Sequence, residues 1–245
     1  MKKLLLSLVV ILTFGYTQAQ NMVSVEKLVP ITCPANYALA SKQMDTIARK
    51  MNVVYTKYDY TFKAAINIQD WLYRVQSANQ WYSTSGLGAR LDGKGIFLQD
   101  VIGENPPSGT GTSGALIQAE MNKTFDFNIK SSYITNANGS ITVTTRITTV
   151  KANTTGAMRY IAYIQDDDTY PNEFRQFITP WNGIALPIAA AGKSKTYTTT
   201  MTPAQFYGST KFKVVVEVSD SVGIVETNGT IYQHEIKVAS YATKK

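Results

Sequence analysis

A small α/β domain followed by an all-β antiparallel sandwich is the architecture that this sequence predicts, on three observations. Strand-patterned and helix-patterned runs alternate from residue 23 to residue 98, the alternation that builds a parallel strand pair joined by a right-handed crossover. Between Gly103 and Gly114 the composition then shifts to Gly, Pro, Ser and Thr, with Pro106-Pro107 as the strongest breaker in the chain. From Phe125 onward the patterned runs are short, β-rich and separated by Asn, Gly and Ser turns, the spacing of an antiparallel sandwich. A length of 245 residues suits two such domains.

Residues 1–20 belong to neither domain. Lys2 and Lys3 precede an apolar run from Leu4 to Phe14, and Thr17-Gln18-Ala19 places small residues where a signal peptidase cleaves, so this stretch reads as a secretory signal peptide. Its loss removes two lysines and no acids: 24 basic residues become 22 against 17 acidic ones, and the net charge falls from +7 to +5. No later apolar stretch approaches the roughly 20 residues that a membrane span needs. An exported protein without a transmembrane span is expected, located in the periplasm, at the outer membrane or on the cell surface.

The first domain, residues 21–121, opens with a strand from Val23 to Val29 that leads into Ile31-Thr32-Cys33-Pro34. From Ala35 to Met51 the residues Tyr37, Ala40, Met44, Ile47, Ala48 and Met51 form one apolar stripe with Lys42, Asp45 and Arg49 off it, which predicts an amphipathic helix. The β-branched and aromatic run Val53 to Tyr60 reads as the second strand. Ile68, Trp71, Leu72, Val75, Ala78 and Tyr82 repeat with helical spacing. Leu87 to Leu91 and Gly95 to Leu98 flank Asp92-Gly93-Lys94, a hairpin signature. The resulting order, β-α-β-α-β-β, is that of a small thioredoxin-like domain, and Ala115 to Met121 closes it as a short helix. The second domain, residues 122–240, places strands at Phe125 to Ile129, Ile141 to Ile147, Tyr160 to Ile164, Tyr197 to Thr199, Phe212 to Val218 and Ile231 to Val238, seven or so in all; residues 241–245 read as a tail.

Several of these stretches resemble motifs of a known family. Cys33-Pro34 is similar to the second cysteine and the proline of a Cys-x-x-Cys-Pro motif, with Pro30 standing where the first cysteine would be. Trp81 to Gly88 resembles an aromatic stretch ending in Gly-x-Pro, with Gly88 in place of the cis-proline. Tyr160 to Asp167 resembles a sandwich strand ending in an acidic pair, and Phe212 to Val218, ending near Asp220, a later one. On these residues the chain resembles the Bacteroidota outer-membrane protein family that joins an N-terminal thioredoxin-like domain to a C-terminal immunoglobulin-like sandwich. The resemblance covers most of the mature chain and implies that fold and an outer-membrane or surface location. Both departures fall on redox chemistry, so the fold carries over while the activity does not.

The residue types present narrow the chemistry further. Pro34 suits a first helical position, which sets the candidate thiol, Cys33, at a helix N-terminus where the dipole favours a thiolate. Thiol–disulfide exchange also needs a resolving thiol, and the chain has a single cysteine. Cys33 therefore reads as a small packing residue or, as the alternative, as the thiol of a monothiol oxidoreductase. One cysteine and one histidine, His234, cannot make a usual zinc site. Asp166-Asp167-Asp168 with Glu173 offers hard oxygens to calcium but lacks the spacing of a calcium loop, so no metal and no cofactor is expected. The basic residues form no run, which leaves nucleic-acid binding without support. The expected function is a non-catalytic binding, adhesion or structural protein of the envelope, meeting a protein or glycan. The candidate recognition surface is the long connection from Asp166 to Asn182, where Asp166, Asp167, Asp168, Tyr170, Phe174, Phe177 and Trp181 mix acids with aromatic anchors. The competing reading folds these aromatics back as a lid over the end of the sandwich.

Overall fold

The architecture comes from a computed structural model that describes residues 21–29, 45, 48–49, 51–59, 88–92, 94–97, 112–154, 156–168, 171–180, 182–202, 211–220, 224–225, 231–233 and 236–245. These residues are mostly β-sheet. The expected helix over 68–82 and the Cys33-Pro34 junction lie outside them, as do Pro30, Tyr170, Trp181 and His234.

The first sheet is built from β1 (Ser24–Val29), β2 (Val54–Asp59), β3 (Gly88–Leu91) and β4 (Lys94–Phe97) in the order β2-β1-β3-β4. β1 and β2 run parallel, β3 is antiparallel to β1, and β3 and β4 form the hairpin expected around Asp92. Side chains alternate across the sheet. Val23, Val25, Val53, Tyr55 and Leu91 point to one face, where Ala48 and Met51 of the first helical run and Ile117 and Met121 of helix α1 (Thr112–Met121) cover them. α1 begins three residues before Ala115, inside the stretch that composition marks as loop. Ser24, Glu26, Val54, Thr56 and Tyr58 occupy the other face.

The sandwich pairs two sheets. One has the order β10-β6-β5-β15, from β5 (Phe127–Thr135), β6 (Ile141–Thr149), β10 (Ser194–Met201) and β15 (Thr243–Lys244). The other has the order β14-β11-β7-β8, from β7 (Met158–Asp166), β8 (Phe174–Phe177), β11 (Phe212–Asp220) and β14 (Ile236–Tyr241), with β9 (Ile184–Ala185) also paired to β7. A separate pair, β12 (Ile224–Val225) with β13 (Ile231–Gln233), splits from β14 what the sequence reads as one run. Phe127, Ile129, Ile141, Val143 and Ile147 meet Tyr160, Ala162, Ile164, Val214, Val216 and Val218 between the sheets.

The two sheets differ in what lies outside them. β5 and β6 alternate buried and exposed residues, so their outer face meets solvent. β7 and β11 are buried at nearly every position, because the first sheet packs on their outer face. Val54 and Tyr58 there join Ile161, Tyr163, Phe174, Phe177, Val215, Ile236 and Ala239 in a second core. Hydrogen bonds from the segment before β1 reach both sheets of the sandwich. Met22 and Ala239 exchange two hydrogen bonds of 2.8 and 2.9 Å, and Asn21 Oδ1 accepts one of 3.0 Å from the amide of Ile129.

Candidate functional site

The connection after β7 is where the sequence places recognition, and its first acid already faces inward. Asp166 is 1% exposed. Arg175 of β8 donates from Nη2 to its Oδ2 at 2.7 Å and from Nη1 to Glu173 Oε1 at 3.2 Å. Burying a carboxylate is costly without a partner, and the Arg175 guanidinium supplies the positive charge that a cation would otherwise bring to this pair. The turn closes around the same residue: Asn172 donates its amide to the Asp166 carbonyl at 2.9 Å, and the Asp168 amide donates to Asp166 Oδ1 at 2.7 Å. Asn172 has a φ of 66°, a left-handed conformation that asparagine tolerates better than most residues.

β8 then carries Phe174 and Phe177 into the second core, where they are 4% and 8% exposed. Their rings lie 4.7 Å apart, and Phe174 lies 5.3 Å from the Tyr58 ring and 5.5 Å from that of Tyr163. The expectation that these two aromatics serve as solvent-facing anchors is corrected here: they bury large apolar area inside the protein. They fold back neither into solvent nor over the sandwich end, but sideways against the first sheet. Asp166 is corrected likewise, as a buried ion-pair partner. Of the described candidates, Asp167 and Asp168 remain exposed, and Asp167 Oδ1 meets Lys213 Nζ at 2.5 Å.

This connection clasps the two parts of the chain. The amide of Lys57 in β2 donates to the Asn172 carbonyl at 2.8 Å, Asn172 Nδ2 donates to Asp45 Oδ1 at 3.2 Å, and Lys57 Nζ lies 3.4 Å from Asp45 Oδ2. The length of the segment thus has an internal cause: it must reach from β7 across to β2 and return.

Beside the clasp runs a buried polar seam that the sequence reading missed. Gln165 Nε2 donates to Thr56 Oγ1 at 2.6 Å and to the Tyr55 carbonyl at 3.0 Å. Thr56 Oγ1 lies 2.7 Å from Tyr163 Oη, and Tyr163 Oη donates to Glu217 Oε1 at 2.8 Å. Because the single phenol proton points at Glu217, the Thr56 hydroxyl donates to Tyr163. The chain of donors runs from amide to carboxyl group across the seam. Ser24 Oγ adds a contact of 3.3 Å to Glu217, and Tyr58 Oη donates to Glu26 Oε1 at 2.8 Å. Burial, reinforced by the Glu217 charge, holds the Tyr163 phenol well above its usual range. A legible signal existed in β11, where Val214, Val215, Val216 and Val218 put apolar residues on both faces. Such a strand is covered on both sides, so Glu217 within it had to be buried too.

The fold and seam together define a class: a small mixed sheet, helix-covered on one face, docked by its other face onto a β-sandwich. Among solved structures the chain is similar to HBP35 of Porphyromonas gingivalis, with a TM-score of 0.62 at 16% identity over 92% of this chain and 76% of that one. A domain of the outer membrane lipoprotein Omp28 from the same organism is a partial likeness, with a TM-score of 0.36 at 16% identity, over 50% of this chain and 91% of that one. No protein-family model and no curated protein matches the sequence. At these identities what is shared with HBP35 is the fold.

Proposed function

We propose that this is an exported protein of the cell envelope, held at the outer membrane or cell surface, that binds or scaffolds and does not catalyse. The observation that carries the non-catalytic reading is the seam. Among the described residues, six buried groups of the kind used in acid–base work are engaged in pairs: Tyr58 with Glu26, Tyr163 with Glu217, and Arg175 with Asp166. The order β2-β1-β3-β4 with a parallel β1–β2 pair supports a degenerate thioredoxin-like first domain, and the sandwich supports an immunoglobulin-like second one. Export rests on the leader at residues 1–20. Recognition of a protein or glycan falls to Asp167 and Asp168, which are exposed, and to Tyr170 and Trp181, which belong to the same connection in the sequence.

Fractionation and an envelope pull-down test the reading together. The mature chain is expected in the envelope fraction, and Trp181→Ala is expected to weaken capture of its partner with the thermal midpoint unchanged. Recovery in the cytoplasm would overturn the location. Insulin reduction above background that Cys33→Ser abolishes would replace the binding reading with the monothiol enzyme.

A further inference from the structure

A second candidate site lies at the open edge of the sandwich, away from the acidic connection. After β9 the chain crosses from one sheet to the other as a strap, residues 186–193, fixed along its length. Leu186 donates its amide to the Met158 carbonyl at 2.9 Å, Asn153 and Ala189 exchange two main-chain bonds of 2.9 and 3.2 Å, and Gly192 donates to the Thr149 carbonyl at 2.8 Å. Asn153 Nδ2 holds the Pro187 carbonyl at 3.1 Å. Between this strap and strands β6 and β10 is a groove of about 370 Å³, within the range of small-molecule sites.

The lining is amphipathic. Ile147, Leu186 and Tyr197 form an apolar floor continuous with the sandwich core, and Pro187 and Ile188 form a lip. Ile188 is 66% exposed, the most exposed large apolar side chain among the described residues. The charged residues of the lining are Lys193 and Lys195, with no acid among them. Lys195 pairs in register with Ile147 and shares the strand face of the buried Tyr197, so it occupies a core-facing position at the mouth, with Nζ 5.2 Å from the Tyr197 ring centroid. A lysine pointing inward from an edge strand can also serve to discourage edge-to-edge pairing. That role requires neither the groove beneath it nor an exposed isoleucine opposite.

We propose that this groove binds the single alkyl chain of a free anionic amphiphile, with the chain along Ile147, Leu186 and Ile188 and the anionic head at Lys193 and Lys195. Its test is a calorimetric titration of the mature protein with octanoate, decanoate and dodecanoate below their micellar concentrations, with decanol and anionic phospholipid vesicles as further arms. Affinity is expected to rise roughly fourfold per added methylene until the groove is full, with decanol weaker than decanoate. The double variant Lys193→Gln/Lys195→Gln is expected to weaken decanoate by roughly fivefold and to leave decanol unchanged. Ile188→Asp, at a position exposed enough to spare the fold, should remove binding of both while the circular dichroism spectrum and thermal midpoint hold. The proposal is overturned by no saturable decanoate binding up to about 1 mM, by equal affinity for decanol, by an unchanged double variant, or by attachment to vesicles without binding of the monomeric carboxylates.

Discussion

Arg175 is the residue on which the acidic connection depends most. Its guanidinium meets Asp166, whose side chain is fully buried, so Arg175→Ala strands a carboxylate in the interior and is expected to cost about 3–5 kcal/mol in urea unfolding. Lys213→Ala is the contrast. Its pair with Asp167 is more than a third exposed on both sides, and the expected change is under about 1 kcal/mol. The tyrosines of the two cores set the alkaline limit. Burial pushes Tyr160 up to about 12, with the Thr145 hydroxyl opposing and Tyr197 adding to the shift, and burial likewise pushes Tyr241 up to about 12. A phenol whose folded pKa is raised holds its proton in the folded state while the unfolded chain releases it near pH 10. Stability is therefore fully present below about pH 10 and falls as the pH rises toward 12. Each such phenol removes about 1.4 kcal/mol per pH unit over that window. Urea midpoints measured from pH 8 to 12 are expected to show the fall, and Tyr160→Phe is expected to make it shallower.

At the scale of the element, β7 sets the architecture, because partners cover both its faces and both its edges. β11 and β8 pair along it, and the turn that brings the chain back as β9 passes directly over it. Gly183 makes that turn with a φ of 72°, and a Cβ there would lie 2.9 Å from the Tyr160 carbonyl oxygen and from Ile161 Cγ1. Gly183→Ala meets both the left-handed backbone and the contact. It is expected to lower the thermal midpoint by several degrees, about 1–3 kcal/mol, whereas Gly139→Ala, with open space around its Cβ position, is expected to cost less.

For the whole molecule, the seam between the first sheet and the sandwich makes the two parts mutually dependent. A fragment spanning 122–245 would uncover Ile161, Tyr163, Val215 and Ile236 together with the Glu217 carboxyl group. It is expected to bind a hydrophobic dye or self-associate, while the mature chain does neither. Cleavage in the Gly- and Pro-rich stretch near Pro106-Pro107 is expected to leave two pieces that co-elute in gel filtration and separate in denaturant. Pieces that part without denaturant would show that the seam contributes little to holding the halves together.

What the sequence determined by itself follows from local periodicity. The parallel strands at Val25 and Tyr55, the hairpin around Asp92 and the sandwich strands β5 and β6 carry alternating patterns or turn signals, which depend on neighbours a few residues away, whereas the short helix ending at Met121 has no apolar stripe and β7 and β11 are apolar on both faces. What the tertiary structure decided is which faces are covered, and that rests on residues more than a hundred positions apart. Thr56 meets Tyr163, Ser24 meets Glu217, and Asp45 meets Asn172. Acids and aromatics between Asp166 and Phe177 look the same in sequence whether they face a partner or the rest of the chain. The packing of the first sheet against β7, β8 and β11 turns the two phenylalanines inward, because Phe174 and Phe177 are buried in one cluster with Val54 and Tyr58 of that sheet, while the Asp166–Arg175 pair closes within the sandwich, between β7 and β8.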